Sequence, residues 1–183
     1  MMLLKDKVLL YYSAQDVFSA LYPAEFTIKH LRFHCQEQFL MYCKALFFSE
    51  WDLAKNIMAT NSAYDCKRFG TKVNQSENYS HPAWVSKRPH YALVGMKAKY
   101  RQNPNLCAIL LATGSAVLGE ASPTDFDWGT GLSKNDDHAF EQDHWTGKNL
   151  HGHLTTMARD LMLEETKDNR PSIPSVSDFI KEV

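Results

Sequence analysis

No run in the chain approaches the roughly 20 consecutive apolar residues that a membrane span requires, so no membrane partner is expected. An excess of one charge is missing as well. Lys plus Arg total 20 against 21 Asp plus Glu, a formal net charge of -1. That balance excludes retention on DNA or an anionic surface by bulk charge alone and leaves room only for a local basic cleft. The four cysteines (Cys35, Cys43, Cys66 and Cys107) form no C-x-x-C pair, which fits free thiols in a reducing, cytoplasmic setting. The eight histidines contain no H-E-x-x-H, and His151 and His153, two apart, fall on different sides of a helix. No metal centre is predicted. There is no internal repeat and no low-complexity tract. The opening segment, Met1 to Lys7, carries charge before any long apolar stretch and reads poorly as a signal peptide.

What remains is an ordinary globular mixture, 44% hydrophobic and 22% charged, so the chain can bury a core. Val8–Tyr12 is a β-prone run, and Phe26–Lys29 with Leu31–Phe33 reads as a second pair of short strands. The stretch from Gln36 to Phe48 is greasy on most sides and belongs in an interior as a helix. Its polar exceptions include Glu37 and Lys44, seven apart and therefore on one stripe. Ser49-Glu50-Trp51-Asp52 and Ser62-Ala63-Tyr64-Asp65 read as helix starts, with Gly70 as the stop of the second helix. Pro82 opens a further helix, Pro89 is expected to break or kink it, and Ala92–Arg101 continues as a helical candidate. Asn103-Pro104 starts another helix, ending at Gly114, and Ala116–Leu118 is a strand candidate. Ser122–Thr146 lacks apolar periodicity, and a connection that long usually carries function. Leu150–Leu161 is amphipathic. The class expected is α+β, a helix-dominated single domain with a few short strands. Its boundaries are 1–165, followed by a polar linker and a short amphipathic segment over 166–183 that fits a docking tail.

The order of certain pieces points further. Glu37-Gln38 followed by Lys44-Ala45, then Lys67-Arg68-Phe69-Gly70, Trp84 and Met96–Pro104 arrive in one sequence. Leu110–Gly114 and the block Glu120-Ala121-Ser122-Pro123-Thr124-Asp125-Phe126-Asp127-Trp128-Gly129-Thr130-Gly131-Leu132 come next, and Trp145-Thr146-Gly147-Lys148-Asn149-Leu150-His151-Gly152 closes the series. Together they resemble the NADAR family, also called YbiA-like or DUF1768, over roughly Val8 to Leu163. The early S-N-F/W segment of the family stands here as Ser19-Ala20-Leu21, and its G-R as Gly70-Thr71. Arg68 or Lys72 is the expected substitute for the missing Arg.

The resemblance implies cleavage of a base–ribose N-glycosidic bond without metal or redox cofactor. The substrate implied is a small nucleotide-like molecule: an early riboflavin-pathway phosphoribosylamino-pyrimidine, or ADP-ribose joined to guanine, free or in nucleic acid. It also implies which residues act. Glu37 and Asp125 would stabilise charge at the anomeric carbon or divide base and acid work. Lys44, if desolvated, would present a neutral amine able to attack the sugar and form a Schiff base. Trp84 and Trp128 would stack on the heterocycle, Gly129 would let backbone pass close to it, and Asn149 would bind substrate or cap a helix. Against this stand simpler readings: solvated charges, core tryptophans, a turn-capping Asp125, an ion-paired Glu120, and a solvated basic face at Lys97, Lys99 and Arg101. Two alternative functions are a non-catalytic binder of ADP-ribose or an NAD derivative, and an interaction protein docking through its tail.

Overall fold

The computed structural model describes residues 2–166, so the expected linker and amphipathic segment lie outside the described residues, except Thr166. In chain order the elements are β1 (Leu3–Lys5), β2 (Val8–Tyr11), β3 (Phe26–Ile28), β4 (Leu31–Phe33), α1 (Gln36–Phe47), α2 (Trp51–Ala59), α3 (Ala63–Lys72), α4 (His81–Gln102), α5 (Pro104–Ala112), β5 (Val117–Glu120) and α6 (Leu150–Glu165). Short 3-10 turns cover Val73–Gln75 and Gln142–His144. The architecture is α+β and helix-dominated, with few and short strands. None of these helices is long and apolar enough to cross a membrane.

The chain forms two compact units. One combines the described residues 2–19 with 104–166. Its sheet has the order β1-β2-β5, antiparallel between β1 and β2 and parallel between β2 and β5, with Val8 beside Val117 and Tyr11 beside Glu120. All four residues of β2 are buried, as expected of a central strand. The strand β1 is additional to the sequence reading. Its hairpin turns at Asp6 and Lys7, both at positive φ, with no Gly or Asn to announce it. Val8, Leu10, Ala121 and Ala139 form a core into which Val117, Phe140 and Trp145 pack.

The other unit is Ala20–Asn103. The β3–β4 hairpin pairs Phe26 with Phe33, and these rings meet Phe39 of α1, the last two with centroids 5.1 Å apart. α1 packs against α2, α3 and α4. Two expectations fail here. Pro89 does not interrupt α4, which runs unbroken for 22 residues. Trp84 and Arg88 before the proline, and Ala92, Met96 and Tyr100 after it, bury one stripe, and that packing overrides the lost backbone bond. Gly70 does not stop α3, which continues to Lys72. Its role is close approach: a Cβ there would sit 2.0 Å from Met41 Sδ and 3.1 Å from Met41 Cβ, so any larger residue would displace the Met41 side chain from between α3 and α1. Ser62 caps α3 as expected, but the box at Ser49 does not form. Glu50 is the N-cap of α2 and makes no side-chain cap bond.

Candidate functional site

The unit Ala20–Asn103 carries a buried cation in an aromatic setting. Glu37 and Lys44 do share one face of α1, and both are buried, at 8% and 6% exposure, which sets aside the solvated reading. Lys44 Nζ donates to the Gly70 carbonyl at 2.8 Å and to Asn74 Oδ1 at 2.6 Å. The Gly70 carbonyl lies in the last turn of α3, where helix carbonyls lack intrahelical partners, so the glycine that permits the close approach also presents its oxygen to the lysine. The Tyr79 and Trp84 rings stand over the same nitrogen, with centroids 5.4 and 5.9 Å away. Trp84 is buried and stacks on Tyr91 at an interplanar angle of 21°.

This setting changes the lysine's acid–base behaviour. Burial pulls the Lys44 pKa down from 10.5 to about 8, the attraction of Glu37 resists, and the nearby Arg88 guanidinium adds to the fall. At neutral pH about one molecule in ten then carries a free amine. A neutral amine has two N–H groups, and Gly70 O and Asn74 Oδ1 are two acceptors. With both engaged, the lone pair points away from them. Arg68, one expected substitute for the family-pattern Arg missing at position 71, pairs with Asp65 at 2.9 Å on the exposed side of α3. Arg88, Asn74 and Tyr79 were not among the residues singled out from the sequence. Arg88 was recoverable, since it lies one turn beyond Trp84 on the same face of α4.

The basic run near the end of α4 is not a solvated face. Lys99 is fully buried, its pKa pulled down to about 7 by desolvation, and its Nζ lies over the Tyr22 and Tyr100 rings.

The remaining expected residues belong to the other unit. There the segment Phe126–Thr130 is laced to Gly147–His151 by backbone bonds: Phe126 O accepts from Lys148 N, Asp127 O from Leu150 N, Trp128 O from His151 N, Gly129 O from Asn149 N, and Thr130 O from Gly147 N. The first free N–H groups of α6 are therefore capped by loop carbonyls. Asn149 occupies the N-cap position at φ 48° but makes no side-chain cap bond. Its carboxamide turns to β5 instead, accepting from Glu120 N at 3.1 Å and donating to Leu118 O at 2.8 Å. It thereby acts as a one-residue extension of the sheet along that edge.

Asp125 Oδ1 accepts from Trp128 N at 2.8 Å and Asp127 N at 3.2 Å, an Asx-type turn that fixes the tryptophan backbone. Gly129 is buried, and a Cβ there would press on Ser122 Cβ and the Glu120 carbonyl, so its close approach is to protein. The half-buried Trp128 ring meets the buried His151 ring edge-on, centroids 6.5 Å apart. His151 Nδ1 is 2.7 Å from the Tyr11 hydroxyl and 3.9 Å from Glu120 Oε2. A buried His–Tyr pair 140 residues apart leaves no local signal.

A family model described as the NADAR domain matches residues 10–163. Protein irg-1 of Caenorhabditis elegans is 32% identical over 180 residues, covering 90% of this chain and 84% of the relative. N-glycosidase R617 of Acanthamoeba polyphaga mimivirus is 33% identical over 124 residues, covering 68% of this chain and 71% of the relative. Among solved structures, the NMR structure of the E. coli protein YbiA matches with a TM-score of 0.71 over 92% of each chain, at 22% identity, which establishes the fold.

Proposed function

The chain belongs to the NADAR family, and we infer that it is an N-glycosidase that opens a base–ribose bond with Lys44 as its nucleophile. The relative from mimivirus is named an N-glycosidase, and the observation that supports the mechanism is the desolvated Lys44 amine held by two acceptors under the Trp84 and Tyr79 rings. The Nζ lone pair attacks the anomeric carbon as the bond from that carbon to the base nitrogen breaks. The bonding pair leaves with the base, which takes up a proton. Opening of the sugar ring converts the new C–N bond to an imine, and water then hydrolyses it, returning the amine and releasing the sugar. Positive charge builds on the anomeric carbon during departure, and the buried carboxylate of Glu37 suits its stabilisation. Trp84 offers an indole face to the heterocycle. Arg88 brings a cation for the phosphate that each candidate substrate carries. Trp128 is proposed as a second stacking surface. The bonds made by Asp125 and Asn149 favour positioning of that loop over direct chemistry, and Gly129 serves its closure.

The substrate proposed is a phosphorylated base–ribose compound, either ADP-ribose joined to guanine or a phosphoribosylamino-pyrimidine. Incubation with each, followed by chromatography for released base, separates the two and separates an enzyme from an ADP-ribose binder. Borohydride added during turnover traps a protein–sugar adduct at Lys44, and Lys44→Met loses both adduct and turnover while Glu37→Gln loses turnover. An active enzyme that yields no adduct removes the covalent step. Calorimetric binding with no release of base makes the protein a binder.

A further inference from the structure

The long connection Ser122–Thr146 carries a cluster that the reaction does not use. Three donors, His138, Glu141 and His144, each place one ligating atom within 4.8 Å of the others, and all three side chains are exposed. His138 Nδ1 lies 3.2 Å and His144 Nδ1 3.1 Å from the same carboxylate oxygen, Glu141 Oε2. The imidazoles are stacked almost parallel, with centroids 4.3 Å apart and planes 11° apart, so the in-plane lone pairs run side by side and one exposed ring must turn about its side-chain bonds for both nitrogens to meet one ion. We propose that His138, Glu141 and His144 form a binding site for one divalent transition ion of the Zn2+ class.

The two His–Glu spacings match a coordination shell. With metal–nitrogen and metal–oxygen bonds of about 2.0–2.1 Å, donors 3.1–3.2 Å apart subtend about 100° at the ion, between octahedral and tetrahedral angles. The backbone already holds the donors in place. Glu141 N donates to His138 O and His144 N to Glu141 O, both at 2.9 Å, so the three residues are tied in series. His138 N is itself fixed by Asp136 Oδ1 at 2.9 Å. The turn is anchored from within: Ala139 is buried in the unit's core, and the Trp145 indole N–H donates to the Ala139 carbonyl at 2.9 Å. The backbone therefore needs little reorganisation on binding, and the change falls on the exposed imidazole side chains. Two imidazoles and one carboxylate favour Zn2+, Ni2+, Co2+ or Cu2+ over Mg2+ or Ca2+, which take oxygen donors. Exposed Asp136, Asp137 and Asp143 add local negative charge. Three protein ligands leave positions for water, so the ion would be exchangeable and would clip the turn. The sequence contains no H-E-x-x-H; the spacing here is H-x-x-E-x-x-H, on an irregular turn, a pattern that does not announce a metal site.

Zn2+ titrated into the full chain should saturate at one ion per chain in calorimetry, with Mg2+ failing to compete. Co2+ should give a visible d–d band that Zn2+ abolishes. The double variant His138→Ala/His144→Ala, altered only at exposed positions, should lose that band and bind Zn2+ at least about tenfold more weakly, a difference of about 1.4 kcal/mol. X-ray absorption of the Zn2+-loaded protein should show nitrogen and oxygen scatterers, imidazole among them. No saturable Zn2+ binding, undiminished binding in the double variant, or sulfur in the first coordination shell would each overturn the proposal.

Discussion

Asn149 offers the sharpest test of how the start of α6 is held against β5. Its carboxamide satisfies the Leu118 carbonyl and the Glu120 N–H, and the residue is 1% exposed. Replacement by alanine strands both backbone groups at a cost of about 1–3 kcal/mol each. It also forces an alanine to φ 48°, which costs about 1 kcal/mol more. Asn149→Ala should therefore lose about 3–7 kcal/mol, a large share of the roughly 5–15 kcal/mol available to a domain. Asn149→Gly removes the same bonds without the backbone strain and should lose about 1 kcal/mol less. Asn149→Asp separates bonding from shape. An ionised carboxylate still accepts from Glu120 N but faces the Leu118 carbonyl with no proton to give. Protonated, the carboxyl reproduces both bonds. The folded pKa of that aspartate should thus lie above its unfolded value, so the native state binds the extra proton and the stabilising form is present at low pH and lost as pH rises. Urea unfolding followed by far-UV circular dichroism, at neutral and mildly acid pH, measures all three variants. The gap between Asn149→Asp and the wild type should narrow on acidification. A loss below about 0.5 kcal/mol in Asn149→Ala, or a gap that widens in acid, would refute the bridging role.

Two further outcomes concern the buried lysines. If the Lys44 amine is the nucleophile, kcat/KM should rise with pH to an inflection near 8, and at neutral pH the enzyme holds about 300-fold more free amine than an ordinary lysine at 10.5 would. Trp84→Ala, which admits water, should move that inflection upward; a profile flat between pH 6 and 9 would exclude the assignment. Lys99 has a folded pKa of about 7 against 10.5 unfolded, so between these values the unfolded chain binds the extra proton and stability must increase with pH. Lys99→Met should flatten that rise by up to about 1.4 kcal/mol per pH unit in chemical denaturation, and an unchanged slope would show that the ammonium is not desolvated.

Much of the fold was legible because apolar period and length determine it. The greasy α1 with its two charged exceptions announced both its burial and Lys44. The capping Ser62 and the strands β2 through β5 followed from local chemistry. What escaped reading has long-range causes. β1 turns on Asp6 and Lys7, residues that do not advertise positive φ. Pro89 is tolerated because the stripe through Trp84 and Met96 is packed over the whole length of α4. Asn149 carried the right types of atom for a cap, but loop carbonyls already satisfied the N–H groups of α6, and no sequence rule shows that competition. The Tyr11–His151 pair and the Asn74 and Gly70 acceptors around Lys44 depend on tertiary placement alone.

The parallel pairing of β2 with β5 has a consequence for biosynthesis. As the nascent chain leaves the ribosome, Val8–Tyr11 emerges early and finds no partner until Val117–Glu120 has been made. Everything in Ala20–Asn103 is translated in the interval. A middle section already collapsed by then shortens the effective tether between the waiting strand and its mate, lowering the entropy lost when they join. The strand β2 is thus made long before its mate and is among the last elements to reach its place.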